Sequence, residues 1–372
     1  MKILFTGGGS GGHLFPIIAV ARELKRLRID DDQFFYLGPK DDFADIVLGQ
    51  EGITVKALLA GKARRYLNFV SFWQNVFDIL IKAPLGFCQA FGYILYLNPD
   101  IVFCKGGYGS LSAGISAWLL RIPVFLHESD AVAGLANRIL ARVSASVFTS
   151  FPETEFFPQK MVLPVGNPIR REILGGRKEE AKLLARITGA RPVVLFMGGS
   201  QGARRLNDLL IPILSELLAE FEIIHQAGEK NFQQLSIEVK TIISESQKLY
   251  YHLVPFLKET DLKHIYSVCD LVVSRAGSGI IFELAALGMP SILVPLPESA
   301  QNHQVKNAYV YAANGAAMVI EEANLTERFF LEKIRFLFSH PEEMALMKEQ
   351  ALKFAKPDAA AMVAEEITKY LI

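Results

Sequence analysis

The chain has 372 residues, 51% hydrophobic and 21% charged, with 39 basic and 39 acidic side chains and a formal net charge of zero. That length suits two domains with a core each, and the balanced charge excludes the basic excess of a nucleic-acid binder. Cys88, Cys104 and Cys269 are scattered and odd in number, so they give no disulfide framework and no metal spacing, and they fit a reducing cytosol. The apolar run Met1–Phe5 is too short for a signal peptide, and no window of about 18 uncharged apolar residues predicts a transmembrane helix.

Ile3-Leu4-Phe5 predicts a buried strand running into Gly7-Gly8-Gly9-Ser10-Gly11-Gly12-His13. Pro16 is expected to open the following helix, whose apolar residues Ile17, Val20, Ala21, Leu24 and Leu27 keep helical spacing. Gly7, Gly9 and Gly12 match the spacing of a dinucleotide loop. A dehydrogenase also needs an acid at the end of the second strand to hold a ribose. Here that strand, Phe34–Leu37, ends in Gly38-Pro39, and Asp30, Asp31 and Asp32 come before it. The NAD reading is weakened, and the loop needs another ligand. His13 stands at the carboxyl end of the first strand, where open α/β sheets place their ligands, and an imidazole there can take a proton near neutral pH. The plainer alternative is a histidine that packs against the helix start.

Lys62, Arg64 and Arg65 precede a greasy stretch that includes Phe69, Phe72 and Trp73. Aromatic and aliphatic groups beside a basic cluster suit a surface that dips into the headgroups of an anionic bilayer. The alternative is a helix pair buried in the domain. Next come a strand at Ile101–Phe103, a second glycine loop at Gly106-Gly107-Tyr108-Gly109-Ser110, and a strand at Val124–Leu126 ending in His127-Glu128-Ser129-Asp130. Polar groups bunched at a strand end read as facing a site. Val165–Arg170 is turn-prone, which sets a first domain at 1–164 and a second at 165–340. Residues 341–372 are expected to be C-terminal helices, the last of them returning to the first domain.

In the second half, Val193–Met197 predicts a strand, and Gly198-Gly199-Ser200-Gln201-Gly202-Ala203 echoes the opening of the chain. Two doubly wound α/β domains follow from that repetition. Leu271–Val273 is a buried strand that leads through Ser274-Arg275-Ala276-Gly277 into a helix beginning near Ser278, Gly279 and Ile280. Strand, small-residue loop and helix N-terminus together make an anion site. Glu283, four residues after Gly279, is placed to accept two hydroxyl hydrogen bonds from a ribose, or else merely complements the helix. Gly288 and Pro290 stop that helix. Gln304 and Asn307 share one face of the next helix and read as sugar-hydroxyl ligands or as a solvated helix start.

As an ordered set these motifs resemble the MurG family of bacterial N-acetylglucosaminyltransferases. The matching pieces are Gly8–His13 with Pro16, Gly106-Gly107-Tyr108, His127-Glu128, Gly134–Asn137, Gly166–Arg170, Gly198–Ala203, Arg275–Gly277 with Glu283, and His303-Gln304 with Asn307. The resemblance spans almost the whole chain. It implies a GT-B architecture, two Rossmann-like doubly wound domains facing an interdomain cleft. It also implies transfer of GlcNAc from UDP-GlcNAc to undecaprenyl-pyrophosphoryl-MurNAc-pentapeptide in peptidoglycan synthesis, at the cytoplasmic face of the cell membrane. Carried over by motif, Glu283 holds the ribose and the backbone of Leu257 meets the uracil edge. Ser200, Arg170, Ser278, Gly279 and Ile280 surround the diphosphate and sugar, and Gln304 with Asn307 reads the sugar hydroxyls. Ser10, Gly11 and Gly12 close over the donor, and His13 is the catalytic base. Asp130 stands where the family often has Asn; counted with the donor-binding residues, it accepts hydrogen bonds only and is a second candidate base, as is Glu128. Metal-dependent transferases often show Asp-x-Asp after a strand, whereas Asp30-Asp31-Asp32 here precedes one, so neither a metal nor another cofactor is expected. A transferase for another glycolipid, a UDP-sugar epimerase and a non-catalytic nucleotide-binding module are the alternatives.

Overall fold

The computed structural model describes residues 1–8, 11–27, 33–61, 78–154, 156–157, 161–198 and 204–370, together with Trp73 and Val76. The chain divides into two compact units, Met1–Arg170 with Pro357–Ile372, and Arg171–Lys356. The division falls after Arg170, six residues beyond the expected boundary, and the helix Pro341–Phe354 belongs to the second unit.

The first unit is built on a seven-stranded parallel sheet in the order β3-β2-β1-β4-β5-β6-β7. Its strands are β1 (Lys2–Thr6), β2 (Gln33–Gly38), β3 (Thr54–Ala57), β4 (Ile101–Cys104), β5 (Val124–Glu128), β6 (Ser146–Thr149) and β7 (Val162–Pro164). Phe5 of β1 is in register with Tyr36 of β2 and with Phe103 of β4. Strand alternation sorts the core into two layers. Ile3 and Phe5 pack with Leu14, Ile17 and Leu24 of the helix Gly11–Leu27, whereas Leu4 packs with Ala90, Ile94 and Ala113 of the helices Ala83–Leu97 and Tyr108–Leu119. Val363, Ala364 and Ile367 of the helix Ala359–Lys369 join the first of these layers.

One helical expectation is corrected. The first helix begins at Gly11, not at Pro16, so Pro16 lies inside it and His13 is a first-turn residue. The segment Leu80–Leu97 is apolar and long enough to cross a membrane by length and composition, although it carries Lys82. Its Gly86, Ala90, Ile94 and Leu97 are nevertheless buried. Gly86 is required there by close approach, since a Cβ at this position would lie 1.8 Å from the carbonyl oxygen of Leu59.

The second unit repeats the plan with six parallel strands in the order β10-β9-β8-β11-β12-β13. They are β8 (Val193–Met197), β9 (Glu222–Gln226), β10 (Tyr251–Val254), β11 (Leu271–Ser274), β12 (Ser291–Leu293) and β13 (Met318–Val319). Val194 and Phe196 pack with Leu206, Leu210 and Leu214 of the helix Arg204–Glu220 and with Phe330 and Ile334 of the helix Glu327–Ser339. In both sheets the order reverses beside the first strand, between β1 and β4 and between β8 and β11. Those are the switch points where doubly wound sheets take ligands.

Because Ile367 is fully buried in the first unit, Ile367→Ala is expected to destabilise that unit by about 2–5 kcal/mol in urea unfolding. A cost below about 1 kcal/mol would show that the last helix is not part of this core.

Candidate functional site

At the switch point of the first unit, β1 ends at Thr6 and β4 at Cys104, and each is followed by glycines. The imidazole of His13 lies against both glycine loops. A Cβ on Gly8 would come within 2.9 Å of His13 Nδ1, and one on Gly107 within 3.2 Å of Nε2. Gly107 has φ of 80°, so a side chain there would also strain the backbone. The loop is held from its other side by Tyr36, whose hydroxyl donates to the carbonyls of Gly7 and Gly8 at 3.2 and 3.1 Å. Burial pushes the Tyr36 phenol well above its ordinary value, so it stays protonated and donating. This tyrosine belongs to the strand whose end would carry the ribose-binding acid of a dinucleotide enzyme. Asp41, a little further on, caps the helix Asp42–Gln50 by accepting from the Phe43 N–H.

Lys105, directly after β4, is 1% exposed, and sequence reasoning missed it. Its Nζ meets His127 Nδ1 at 2.7 Å and Asn167 Oδ1 at 3.2 Å, and it donates to Ser129 Oγ. His127 Nε2 lies 3.0 Å from the Gly166 carbonyl, which makes Nε2 the protonated nitrogen and leaves Nδ1 as acceptor. Burial lowers the Lys105 pKa to about 7, against the opposing pull of Glu128 and Asp130. Burial, then Lys105, holds His127 well below its ordinary value. The available signal was positional: a lysine between an all-apolar strand and a glycine pair, at the end of the sheet where ligands bind.

Glu128 accepts from the N–H groups of Asp130 and Gly134, both at 3.0 Å, and from Asn137 Nδ2 at 2.7 Å. Burial raises its pKa, with Asp130 adding to the effect and these hydrogen bonds opposing it. It therefore acts as a clamp on the turn that carries the half-buried Asp130. Asn137 Oδ1 and Asn167 Nδ2 are buried without partners among the described residues, leaving unused hydrogen-bonding capacity beside these strand ends. Arg170 is buried, and its guanidinium carbon lies 3.9 Å from the centre of the Phe15 ring.

In the second unit, β11 runs through Arg275-Ala276-Gly277 into the helix Ser278–Leu287. Gly277 is extended and no side chain caps the helix, so the first-turn N–H groups of Ser278, Gly279 and Ile280 point off its end. Ser278 Oγ is buried there without a partner among the described residues. Gly288 ends the helix at φ of 59°, accommodating the left-handed turn. Glu283 is buried one turn beyond the loop. Arg275 donates to the Val294 carbonyl at 3.1 Å and pairs with Glu322, which also pairs with Arg205. Arg275 thus braces the loop with its charge matched. Asn307 is fully buried and donates through Nδ2 to the Ala276 carbonyl at 3.4 Å. The half-buried Gln304 accepts from the Leu296 N–H at 3.0 Å. The Leu257 N–H donates to Gln226 Oε1 at 3.2 Å, a contact the sequence did not suggest.

The structure thus gathers His13 and Asp130 with Lys105 at the strand ends of the first unit, and Ser278, Gly279, Ile280, Glu283 and Asn307 around one loop of the second. Gly11 and Gly12 open the His13 helix. Ser10 and Ser200 lie outside the described residues, as do Lys62, Arg64, Arg65, Phe69 and Phe72 of the basic and aromatic patch. Trp73, the one described residue of that patch, is exposed.

Models of the glycosyltransferase family 28 N-terminal and C-terminal domains match residues 3–149 and 193–363. The UDP-N-acetylglucosamine–N-acetylmuramyl-(pentapeptide) pyrophosphoryl-undecaprenol N-acetylglucosamine transferase of Shouchella clausii is 36% identical over 340 residues, 91% of each chain. The enzyme of the same name from Clostridium tetani is 35% identical over 355 residues, 95% of this chain and 94% of that one. The crystal structure of Acinetobacter baumannii MurG gives a TM-score of 0.73 at 26% identity, covering 99% of both chains. A UDP-GlcNAc 2-epimerase from Neisseria meningitidis, bound to UDP-GlcNAc, gives 0.67 at 14% identity, a likeness of fold alone.

The lysine makes a prediction of its own. Between pH of about 7 and the ordinary lysine value of 10.5, the unfolded chain holds a proton that folded Lys105 has given up. Stability therefore gains from this group as pH rises through that window. Melting of the wild type and Lys105→Met across it is expected to show the wild type gaining on the variant; a constant difference would contradict the assignment.

Proposed function

The chain belongs to glycosyltransferase family 28, and from that premise we propose that it moves GlcNAc from UDP-GlcNAc to undecaprenyl-pyrophosphoryl-MurNAc-pentapeptide. The product is the lipid-linked disaccharide of peptidoglycan synthesis. The observation that carries the reading is the 36% identity, over 91% of both chains, with a transferase whose name states that donor and acceptor.

The second unit binds the donor. Ser278, Gly279 and Ile280 offer the diphosphate a helix N-terminus, and charge developing on the departing UDP meets N–H dipoles already in place. Glu283 accepts the ribose hydroxyls. Asn307 acts through the Ala276 carbonyl to hold this loop, and Gln304 does the same for the Leu296 turn. The backbone of Leu257 meets the uracil, with Gln226 exchanging its hydrogen bond to that backbone for the base. Arg170, Ser200, Ser10, Gly11 and Gly12 are counted with the donor-binding residues, as the family resemblance implies. His13 takes the proton of the acceptor hydroxyl as its oxygen attacks the anomeric carbon, and this direct displacement turns the α-linked donor into a β-linked product. Asp130, just past β5 in the first unit, is counted with the donor-binding residues and is a second candidate base.

The enzyme works as a peripheral protein on the cytoplasmic face of the bacterial cell membrane. Leu85, Leu95 and Tyr96 of one helix are exposed, as are Trp118 and Leu119 of the helix packed on it. An acceptor with a lipid tail gives such a surface its occupant. Burial of one face by Gly86, Ala90 and Ile94 favours a helix lying on the bilayer over one crossing it. Lys62, Arg64 and Arg65 supply attraction to anionic lipid.

The test is labelled transfer from UDP-GlcNAc to a short-chain analogue of the lipid-linked muramyl-pentapeptide, with UDP-glucose and UDP-GalNAc as control donors. Transfer from UDP-GlcNAc alone, with a β-anomeric proton in the NMR spectrum of the product, is expected. Folded protein that binds UDP but transfers nothing would move the assignment to another acceptor. Replacing Tyr96 and Trp118 by serine is expected to weaken sedimentation with phosphatidylglycerol vesicles about tenfold; unchanged binding would remove these helices from the membrane surface.

A further inference from the structure

We infer that Lys105 is a positioning residue for the transfer step: its Nζ, held by His127, Ser129 and Asn167, fixes the glycine pair that backs the imidazole of His13. The inference rests on His13 being the base. It begins from a match of number. In its protonated form Lys105 has three N–H donors and no acceptor, and the three side chains around Nζ each present an acceptor: His127 Nδ1, Ser129 Oγ and Asn167 Oδ1. They come from the end of β5, the turn after it, and the loop beyond β7. One side chain therefore ties the ends of β5 and β7 to the end of β4.

The chain leaves Lys105 through Gly106 and Gly107, at φ of 92° and 80°. Both are closely packed. A Cβ on Gly106 would lie 2.5 Å from Asn137 Nδ2, and one on Gly107 would lie 3.2 Å from His13 Nε2. On the β1 side, a Cβ on Gly7 would touch Lys105 Cβ at 3.5 Å and His13 Cβ at 3.4 Å. His13 and Lys105 thus flank the same glycine, and the backbone that Lys105 anchors forms one wall of the imidazole slot. A displacement of that wall moves the base relative to the hydroxyl it must deprotonate, and misplacement by about 1 Å costs on the order of 100-fold in rate.

Stability alone does not account for the lysine. A buried ammonium carries a desolvation penalty that an apolar side chain of similar length would not. The ionisable groups facing it are His127, Glu128 and Asp130 from β5 and its turn. Glu128 is already committed to the Asp130 and Gly134 N–H groups and to Asn137, so it makes no hydrogen bond to Nζ. The ammonium's hydrogen bonds go instead to neutral acceptors, and neutral acceptors fix direction.

Lys105→Met, Ser129→Ala and His13→Ala are compared in the full-length enzyme by steady-state transfer, UDP titration and ¹⁵N NMR of the histidine rings. Lys105→Met is expected to lower kcat about 100-fold, to leave UDP affinity and both KM values within about threefold, and to shift the ring signals of both His13 and His127. Ser129→Ala, which removes one acceptor, is expected to lower kcat about tenfold. If His13→Ala loses turnover while Lys105→Met stays within about threefold of the wild type, the positioning role is overturned and the base assignment stands. If His13→Ala keeps turnover, the base assignment falls; unshifted His13 signals in Lys105→Met would then overturn the positioning role as well. Should Lys105→Met fail to fold, Ser129→Ala decides, and wild-type kcat in that variant overturns the inference.

Discussion

Two parallel strands whose onward connections leave on opposite faces of a sheet cannot cover the space above their own carboxyl ends. This chain meets that constraint twice, at β1 beside β4 and at β8 beside β11. The residues proposed for function follow from it. His13, Lys105 and Asp130 lie just past strand ends of the first sheet, and Ser278–Ile280 and Glu283 follow a strand end of the second. Glycine is needed at these places because the chain must turn sharply beside its neighbours. At Gly107 both the positive φ and the imidazole against the Cα require it.

The two switch points are finished in different chemistries. In the second unit the loop after β11 presents backbone N–H groups, and the nearest strong cation, Arg275, has its charge matched by Glu322. A diphosphate bound there, as proposed, would meet dipoles rather than a free guanidinium, an arrangement suited to a charge that grows as UDP departs. The first unit instead buries side chains that handle protons. Tyr36 stays protonated to hold the Gly7 and Gly8 carbonyls, His127 is kept neutral, and Lys105 sits near its point of titration. These groups carry a desolvation cost that the apolar layers around Phe5 and Leu126 must offset.

What the sequence made legible was local. Apolar runs followed by glycines marked β1, β4, β8 and β11, and Gly288 with Pro290 marked the end of the Ser278 helix. The start of the first helix was misplaced because Pro16 carries a strong local signal, yet the helix already runs from Gly11. Lys105 was invisible because a lone lysine reads as solvated. Its partners His127, Ser129 and Asn167 lie 22, 24 and 62 residues further along, and only the closing of the sheet brings them together. Asn307 reads as sharing a helix face with Gln304, but its bond to the Ala276 carbonyl depends on how that helix packs. The Gln226–Leu257 contact joins two strand ends in the same way.

The central claim is a division of labour, with nucleotide binding in the second unit and proton removal in the first. The most direct test is calorimetric titration of UDP into the wild type, His13→Ala and Glu283→Ala, with turnover measured on the same preparations. The account predicts that Glu283→Ala loses about tenfold or more in UDP affinity, because buried hydroxyl partners are left unpaired. It predicts that His13→Ala binds UDP as the wild type does and transfers almost nothing. Wild-type UDP affinity in Glu283→Ala, or lost affinity with retained turnover in His13→Ala, would contradict it.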